Sequence, residues 1–353
     1  MLEHLTVIEL ASVLAGPAVG MFLAELGAKV IKIENPDGGD VTRQWKLPTE
    51  DAQSEVSAYF SSVNFGKQYQ SIDLKTTAGK KAVLDLIATA DIVLTNFKAG
   101  DDVKLGLDYE TLKALNPKLI YASITGFGPN DSRTAFDVVL QAEAGLMYMN
   151  GTPESGPIKW PVAVIDLMAA HQLKEGILLA LLQRERTGLG AKVSVSLYDA
   201  AIASLANQAT NWLMAGHIPQ RRGSLHPNIA PYGETLTCTD GGQIVMAVGN
   251  AAQFENLCSV LRLSILPTDE KYSTNSKRVT NRESLLNQLQ LAASAWQRDE
   301  LLAALLEAQV PAGAIRNMQE VFAQPNAQKL INKETIAGVA TQRPATAIFT
   351  ITH

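Results

Sequence analysis

Apolar runs of strand length alternate with stretches of helical period over roughly the first 200 residues. LTVIEL at 5–10 is short, apolar and β-branched, the pattern of a strand buried on both faces. Gly16, Pro17 and Gly20 open a helical stretch through AVGMFLAEL, Gly27 closes it, and AKVIKIE at 28–34 is a second strand ending in Glu34. Strand, glycine turn, helix, strand is a βαβ unit, which builds parallel sheets with right-handed crossovers. The alternation continues with a helix at 76–90, a strand DIVLTNF at 91–97, a helix at 109–117 and a strand KLIYASITGFG at 118–128. PVAVID at 161–166 reads as another strand, followed by a long helix to Gly188 and a strand at 191–200. Five or six strands with interleaved helices predict an α/β fold built on a doubly wound parallel sheet.

The pattern breaks at 212–232, where HIPQRRGSLHPNIAPYG is rich in Pro, Gly and basic residues and reads as a linker. Beyond it, ETLTCTD and GGQIVMAVGN form a hairpin pattern turning at Asp240–Gly241–Gly242, and helical runs follow to about residue 325. The organisation expected is a large domain over 1–211, a linker over 212–232 and a smaller α+β domain over 233–325. Residues from about 326 to 353 are expected to rejoin the large domain.

Composition narrows the function classes. A chain of 353 residues exceeds the usual size of one core, and 46% apolar with 18% charged residues excludes a disordered chain. The net charge of −5 comes with scattered Lys and Arg and no basic stripe, which argues against nucleic acid as a partner. Cys238 and Cys258 make neither a disulfide framework nor a metal-ligand pattern. The opening MLEHLTVIEL has Glu3 and no basic n-region, and the most apolar segment, GILLALL at 176–182, is too short to cross a bilayer. A cytoplasmic protein without membrane partners is the expectation.

Two chemical readings compete at the first turn and at Asp166. The glycines Gly16, Gly20 and Gly27 do not follow G-x-G-x-x-G, and the missing second glycine is the one that admits a pyrophosphate, so nicotinamide binding is disfavoured. Asp166 lies where an apolar segment meets a helix. Taken alone, it reads as an N-cap that accepts an orphan backbone N–H, with a nucleophilic carboxylate as the alternative. Asp137 carries the same pair of readings, a helix cap or a supporting site residue.

Larger blocks of sequence settle which chemistry to expect. ASVLAGPAVGMFLAELGAKVIKIENPDGGDVTRQW, ADIVLTNFKAGDDVKLGLDYETLKALNPKLIYASITGFG, FDVVLQAEAGLM and VIDLMAAHQLKEGILLALLQRERTGLGAKVSVSLYDA run in this order, with HPNIAPYG and VPAGAIRNMQEV further on. Together they resemble the CaiB/BaiF or family III CoA-transferases. The resemblance implies a Rossmann-like large domain, a small domain and an interlocked homodimer. It implies coenzyme A and acyl-CoA as substrates, exchanged between an acyl-CoA donor and a carboxylic acid acceptor, with no tightly bound cofactor and no metal.

Residue by residue, the resemblance assigns Asp166 as the nucleophile that carries first an acyl group, as a mixed anhydride, and then CoA, as a thioester. Asp137 takes a supporting role. Leu14, Ala15, Ile72, Asp73, Leu74, Lys75, Asn96, Phe97, Lys98 and Lys104 fall at CoA-contact positions, with Arg43 as a further cation. The racemase branch of the superfamily has a His directly before the second carboxylate. Phe136 stands there and carries no proton, so transfer is expected rather than an acyl-CoA isomerisation, and CoA binding without turnover is the remaining alternative. The sequence departs from family members in Asn35 and Lys104, where Arg occurs, and in lacking a glycine-rich loop after HPNIAPYG. It also ends at TAIFTITH, short of the family's tail.

Overall fold

The computed structural model describes residues 1–352 and divides into two compact units. The first comprises Met1–Tyr148, Lys159–Pro219 and the segment from Gln328 onward; the second comprises Met149–Ile158 and Gln220–Ala327.

The first unit is built on six strands: β1 (Thr6–Glu9), β2 (Lys29–Glu34), β3 (Lys67–Ser71), β4 (Ile92–Thr95), β5 (Ile120–Thr125) and β6 (Lys192–Ser196). Every pairing is parallel and the order is β3-β2-β1-β4-β5-β6, so the chain reverses its direction of travel across the sheet between β1 and β4. Successive side chains alternate between faces. Val7, Val30, Ile92, Leu94, Ile120 and Ala122 pack with helix α1 (Ala15–Glu25) on one face, and Ile8, Ile31, Ile33 and Val93 form the core of the other. Because helices cover both faces, the inner strands β1, β2, β4 and β5 are mainly apolar along their length.

Short helices follow along the chain: α2 (Ala58–Ser61), α3 (Thr77–Ile87), α4 (Asp101–Leu105), α5 (Tyr109–Leu115), α6 (Asp137–Glu143) and α7 (Leu146–Met149). The 24-residue α8 (Val164–Thr187) then packs Ile165, Ala169, Leu173 and Ile177 on the α1 side of the sheet, followed by α9 (Leu197–Ala203) and α10 (Ala206–Ala215). No helix among the described residues is long and apolar enough to cross a membrane.

The structure departs from the sequence reading in several places. Residues 161–166 are not a strand: Val164, Ile165 and Asp166 form the first turn of α8. β6 pairs directly with β5, and no strand is inserted between them. Polar KQYQS, unremarked in the sequence, forms the edge strand β3, where one bare edge tolerates polar side chains. The strand expected at 191–200 stops at Ser196, whose hydroxyl accepts a hydrogen bond from the Asp199 N–H (2.9 Å) and starts α9. Finally, α10 carries helix on to Ala215, into the stretch read as linker.

The second unit holds the expected hairpin. Tyr232–Thr237 pairs antiparallel with Gln243–Ala247, which pairs in turn with Ala312–Ala314. Gly241 turns at φ +76°, and the Asp240 carboxylate accepts the Gly242 N–H (3.0 Å). Helices Ala251–Val260, Arg282–Ala293 and Arg298–Glu307 bury Phe254, Leu257, Leu285, Leu289, Leu301 and Leu305 against it, with both free thiols inside.

A buried ionic group lies beneath α1 in the first unit. The Glu9 carboxylate at the end of β1 accepts Lys32 Nζ (3.0 Å) and Lys67 Nζ (2.8 Å), from β2 and β3. None of the three is more than 8% exposed. The remaining ammonium protons go to the Ala11 and Pro17 carbonyls, to Asn64 Oδ1 and to the Asp40 carboxylate. Gly20 of α1 lies directly over this group, and a Cβ there would come 1.8 Å from Glu9 Oε2. Gly20→Ala gains about 1 kcal/mol of helix propensity. Disturbing a buried, hydrogen-bonded ion pair costs about 3–5 kcal/mol. The expected net effect is a loss of roughly 2–4 kcal/mol, read by denaturant unfolding; unchanged or higher stability would show that the group yields easily.

Candidate active site

The sheet's topological reversal puts two loops side by side at the C-terminal ends of β1 and β4, the usual place for a ligand in an open α/β sheet. Ser12–Ala15 follow β1 and Asn96–Ala99 follow β4, and both stretches line one cleft of about 240 Å³. They are stitched together by Asn96, whose Oδ1 accepts the Ser12 N–H (3.1 Å) and whose Nδ2 donates to the Ser12 carbonyl (2.8 Å). Thr125, Gly126, Arg133, Phe136, Asp137 and Asp166 complete the far wall.

Asp166 sits in the first turn of α8, and the residue at the N-cap position is Ala163, which offers no side-chain cap. The cap comes from elsewhere: Asp137, in the first turn of α6, accepts the Ile165 N–H on Oδ1 (2.8 Å). Its Oδ2 accepts from Gln141 Nε2 (2.5 Å), and Gln141 Oε1 accepts the Trp160 N–H (2.7 Å). Asp137 therefore does the capping that Asp166 was a candidate for. Asp166 is left free, 9% exposed, with no hydrogen bond from the described residues. Burial, reinforced by the negative charge of Asp137, pushes its carboxyl up to about 7.

Three further groups bear on the two acids: Arg133 and Lys98 line the cleft, and Tyr59 lies close enough to feel their charge. Tyr59 of α2 packs edge-on against Trp45, with ring centroids 5.0 Å apart. Its phenol is pushed up to about 12, by burial first and then by Asp166, Asp137 and Asp40, so it remains a neutral O–H beside the acids. Arg133 stacks on Phe127 at 3.7 Å and pairs with Asp131 (2.9 Å) and Glu143 (3.4 Å). Lys98 is exposed on the cleft wall without an ion-pair partner among the described residues.

Of the residues expected to contact CoA, Leu14, Ala15, Asn96, Phe97 and Lys98 line the cleft with Asp166 and Asp137. The others lie outside it. Ile72, Asp73, Leu74 and Lys75 form the turn after β3, where Asp73 Oδ1 accepts the Lys75 N–H (2.8 Å) and Ile72 and Leu74 pack on the sheet core. Lys104 is exposed on α4 and pairs with Asp101 (2.9 Å). Arg43 is committed: its guanidinium donates to Glu34 (2.8 Å) and to the Glu55 carbonyl (3.0 Å) and stacks on Phe60 (3.8 Å).

The sequence reading passed over Val13 and Gln141. Val13 lines the cleft at φ +70°, a left-handed conformation that is a strong outlier for a β-branched residue. Its N–H donates to Asp40 Oδ2 (3.2 Å), and Asp40 is paired with Lys32 (3.0 Å). No residue-type signal marks a strained valine; its partner Asp40 lies in the same opening block of sequence, in GGDVTRQW. A nearly buried carboxyl with no hydrogen bond, set beside a second carboxylate in a cleft, is the kind of group that acyl transfer through a carboxylate requires.

Comparison with known proteins gives the same chemistry a family. The description "CoA-transferase family III" matches residues 2–348. The chain is 42% identical over 333 residues to the succinate–glutarate CoA-transferase of Agrobacterium fabrum, covering 93% of this chain and 83% of that one. It is 35% identical over 327 residues to the human succinyl-CoA:glutarate CoA-transferase, covering 92% and 74%. The crystal structure of a CaiB/BaiF family protein from Brucella suis superposes with a TM-score of 0.89 at 43% identity, covering 98% of this chain and 91% of that one. This protein belongs to the family III CoA-transferases, enzymes whose substrates are CoA thioesters and carboxylic acids.

Proposed function

We propose that this enzyme moves CoA between short dicarboxylic acids through covalent intermediates on Asp166. The observation that carries the mechanism is the state of that carboxyl: nearly buried, free of hydrogen bonds, and lining a cleft with Leu14, Ala15 and Asn96. A carboxylate tied up in hydrogen bonds is a weak nucleophile, and this one is held by none. The names of the Agrobacterium and human relatives, which pair CoA with succinate and glutarate, support the substrate class.

In the first step an Asp166 oxygen attacks the thioester carbonyl. The C–S bond breaks, giving a mixed anhydride and CoA thiolate. The thiolate then attacks the aspartyl carbonyl, expelling the donor acid as its carboxylate and leaving an aspartyl-CoA thioester. The acceptor carboxylate attacks that thioester, and the released thiolate attacks the acceptor's acyl carbonyl. Acyl-CoA leaves and Asp166 is restored. No net proton transfer is required, which fits a cleft lined by no histidine. An isomerase mechanism would need a second proton carrier beside Asp166. Phe136 offers none, and Asp137 is engaged as the cap of α8.

A panel of short acyl-CoAs with hydroxylamine tests the reading. Peptide mass spectrometry is expected to find a hydroxamate at Asp166 with succinyl- or glutaryl-CoA, and none in Asp166→Ala. Exchange activity with Asp166 never modified would sink the covalent mechanism.

The pH dependence follows from burial. The carboxylate is the nucleophile, so a carboxyl held up to about 7 keeps the free enzyme largely protonated and slow below that pH. The kcat/KM profile is expected to rise through about 7. In Asp137→Asn the burial remains but the neighbouring charge is gone, so the limb moves to lower pH while the Asn oxygen still caps Ile165. A limb unmoved or shifted upward would show that Asp137 does not act on Asp166 through charge.

We also infer a homodimer. The α8 and α10 surfaces leave Leu178, Leu179, Leu182, Trp212, Leu213 and Met214 exposed, more large apolar side chains than a solvated face usually carries. Sedimentation equilibrium is expected to return twice the chain mass, and a monomer at micromolar concentration would refute this. The two buried, unpaired thiols fit a reducing, cytoplasmic setting.

A further inference from the structure

The first turn of α1 is unusually bare. The N–H groups of Leu14, Ala15 and Gly16 meet no acceptor among the described residues, Leu14 at the cap position has no capping side chain, and Pro17 has no N–H to satisfy. Gly16 lets the turn approach the end of β1 closely, since a Cβ there would stand 2.3 Å from Ala11 Cβ. A bare helix start is not by itself a site. Here it lines the same cleft as Asp166, an unpartnered carboxyl nine-tenths buried, so free donors and a free acceptor group share one cavity.

What holds the turn in this pose is not local. Val13 is left-handed at φ +70°, a strained conformation for a β-branched residue that persists only where the surroundings impose it. The constraint is the Asp40 carboxylate. It accepts the Val13 N–H (3.2 Å) and is itself fixed by the Thr42 N–H (3.0 Å), the Thr42 hydroxyl (2.8 Å) and Lys32 Nζ (3.0 Å). Lys32 is 1% exposed and also donates to Glu9 and to the Ala11 carbonyl (2.7 Å), so it grips the 11–13 segment from both sides.

We propose that Asp40 and Lys32 are positioning residues for the transfer reaction. By forcing Val13 into the left-handed region, they aim the free N–H groups of the first α1 turn at the oxyanion that forms when Asp166 attacks a thioester. Neither touches substrate. Their effect passes through the backbone, and it falls on the transition state, because only there does the carbonyl oxygen carry the charge those amides meet. The inference rests on Asp166 as nucleophile. Hydroxylamine trapping on the wild-type enzyme, run alongside, separates a failure of that reading from a failure of this one.

The test is a double-mutant cycle on the full chain, read as steady-state CoA exchange from succinyl-CoA to glutarate. Asp40→Asn removes the charge that holds the turn. Val13→Gly removes the strain, since glycine takes positive φ freely. Asp40→Asn is expected to lower kcat roughly 10- to 100-fold with KM for succinyl-CoA within a factor of about three. In the Val13→Gly background the same substitution is expected to cost about threefold or less, because the turn no longer needs forcing. Thr42→Val, which loosens Asp40 without discharging it, provides the measurement if Asp40→Asn does not fold; a smaller kcat loss, again relieved by Val13→Gly, is expected. An equal loss in both backgrounds, or a loss carried by KM alone, would overturn the proposal and leave Asp40 and Lys32 with the fold alone.

Discussion

The interaction on which the first unit depends is the bridge that Lys32 makes between Glu9 and Asp40. It joins the ends of β1 and β2 to the loop after β2, in a place where no water can replace a lost partner. Burial would lower the Lys32 ammonium, yet Glu9 and Asp40 outweigh it and hold its pKa above the usual value. Asp40 in turn is held low against its own burial by Lys32 and the Thr42 amide. Lys67 shows the other limit: burial wins over Glu9, and its ammonium falls to about 8. A pair of leucines could fill this volume at no electrostatic cost, since buried ion pairs seldom stabilise more than apolar side chains would. What leucines could not supply is directed acceptors for backbone N–H groups, and that is how the group is used at the turn that opens α1.

In the proposed mechanism Asp137 and Asp166 divide between them two jobs that one residue often does. A helix start wants a carboxylate on its N–H groups, and a nucleophile wants its oxygens free. Here the cap reaches across from α6, and the acid in the first turn of α8 stays unbonded. The arrangement has a cost in stability. A carboxyl raised in the folded state favours folding when protonated, and that contribution is lost as pH rises from its unfolded value through about 7. Near neutral pH, where the proposed mechanism needs the ionised form, the fold therefore carries a destabilising group. The large apolar core under α8 tolerates it.

How much of this was legible in the sequence differs by residue. Strands β1, β2, β4 and β5 were readable because burial on both faces leaves them rich in apolar, β-branched residues, even with Lys32 inside β2. β3 was not, since an edge strand with one covered face carries no such enrichment. The 161–166 segment misled for a physical reason: its β-branched residues fit a strand or a buried first helical turn equally well. The choice was made by an Asp137 carboxylate 28 residues away, which no local pattern records. Asp166 and the loops that frame it were found through the resemblance to the family. By itself the residue read as a cap, and the structure assigns that cap to Asp137. Of the cations expected at the site, the structure lines the Asp166 cleft with Lys98 but not with Lys75, Lys104 or Arg43, and it adds Arg133, which the sequence reading did not name.

Val13 shows most clearly why the rest stayed hidden. Its identity argues against the conformation it adopts, so every sequence rule would place it in an ordinary extended or helical region. Only the sum of distant groups reverses that preference: a carboxylate from the loop after β2, a lysine from β2 and an asparagine side chain after β4 that fixes the preceding residue. Each is an ordinary polar residue in its own segment. Local propensity and tertiary constraint disagree at this turn, and such disagreements concentrate where a chain does chemistry. A buried ionic group that is expensive in electrostatic terms and a valine in the wrong region of backbone space thus have a common explanation. Both are costs incurred at the two loops that meet at the reversal of the sheet, in the cleft that the unbonded carboxyl of Asp166 lines.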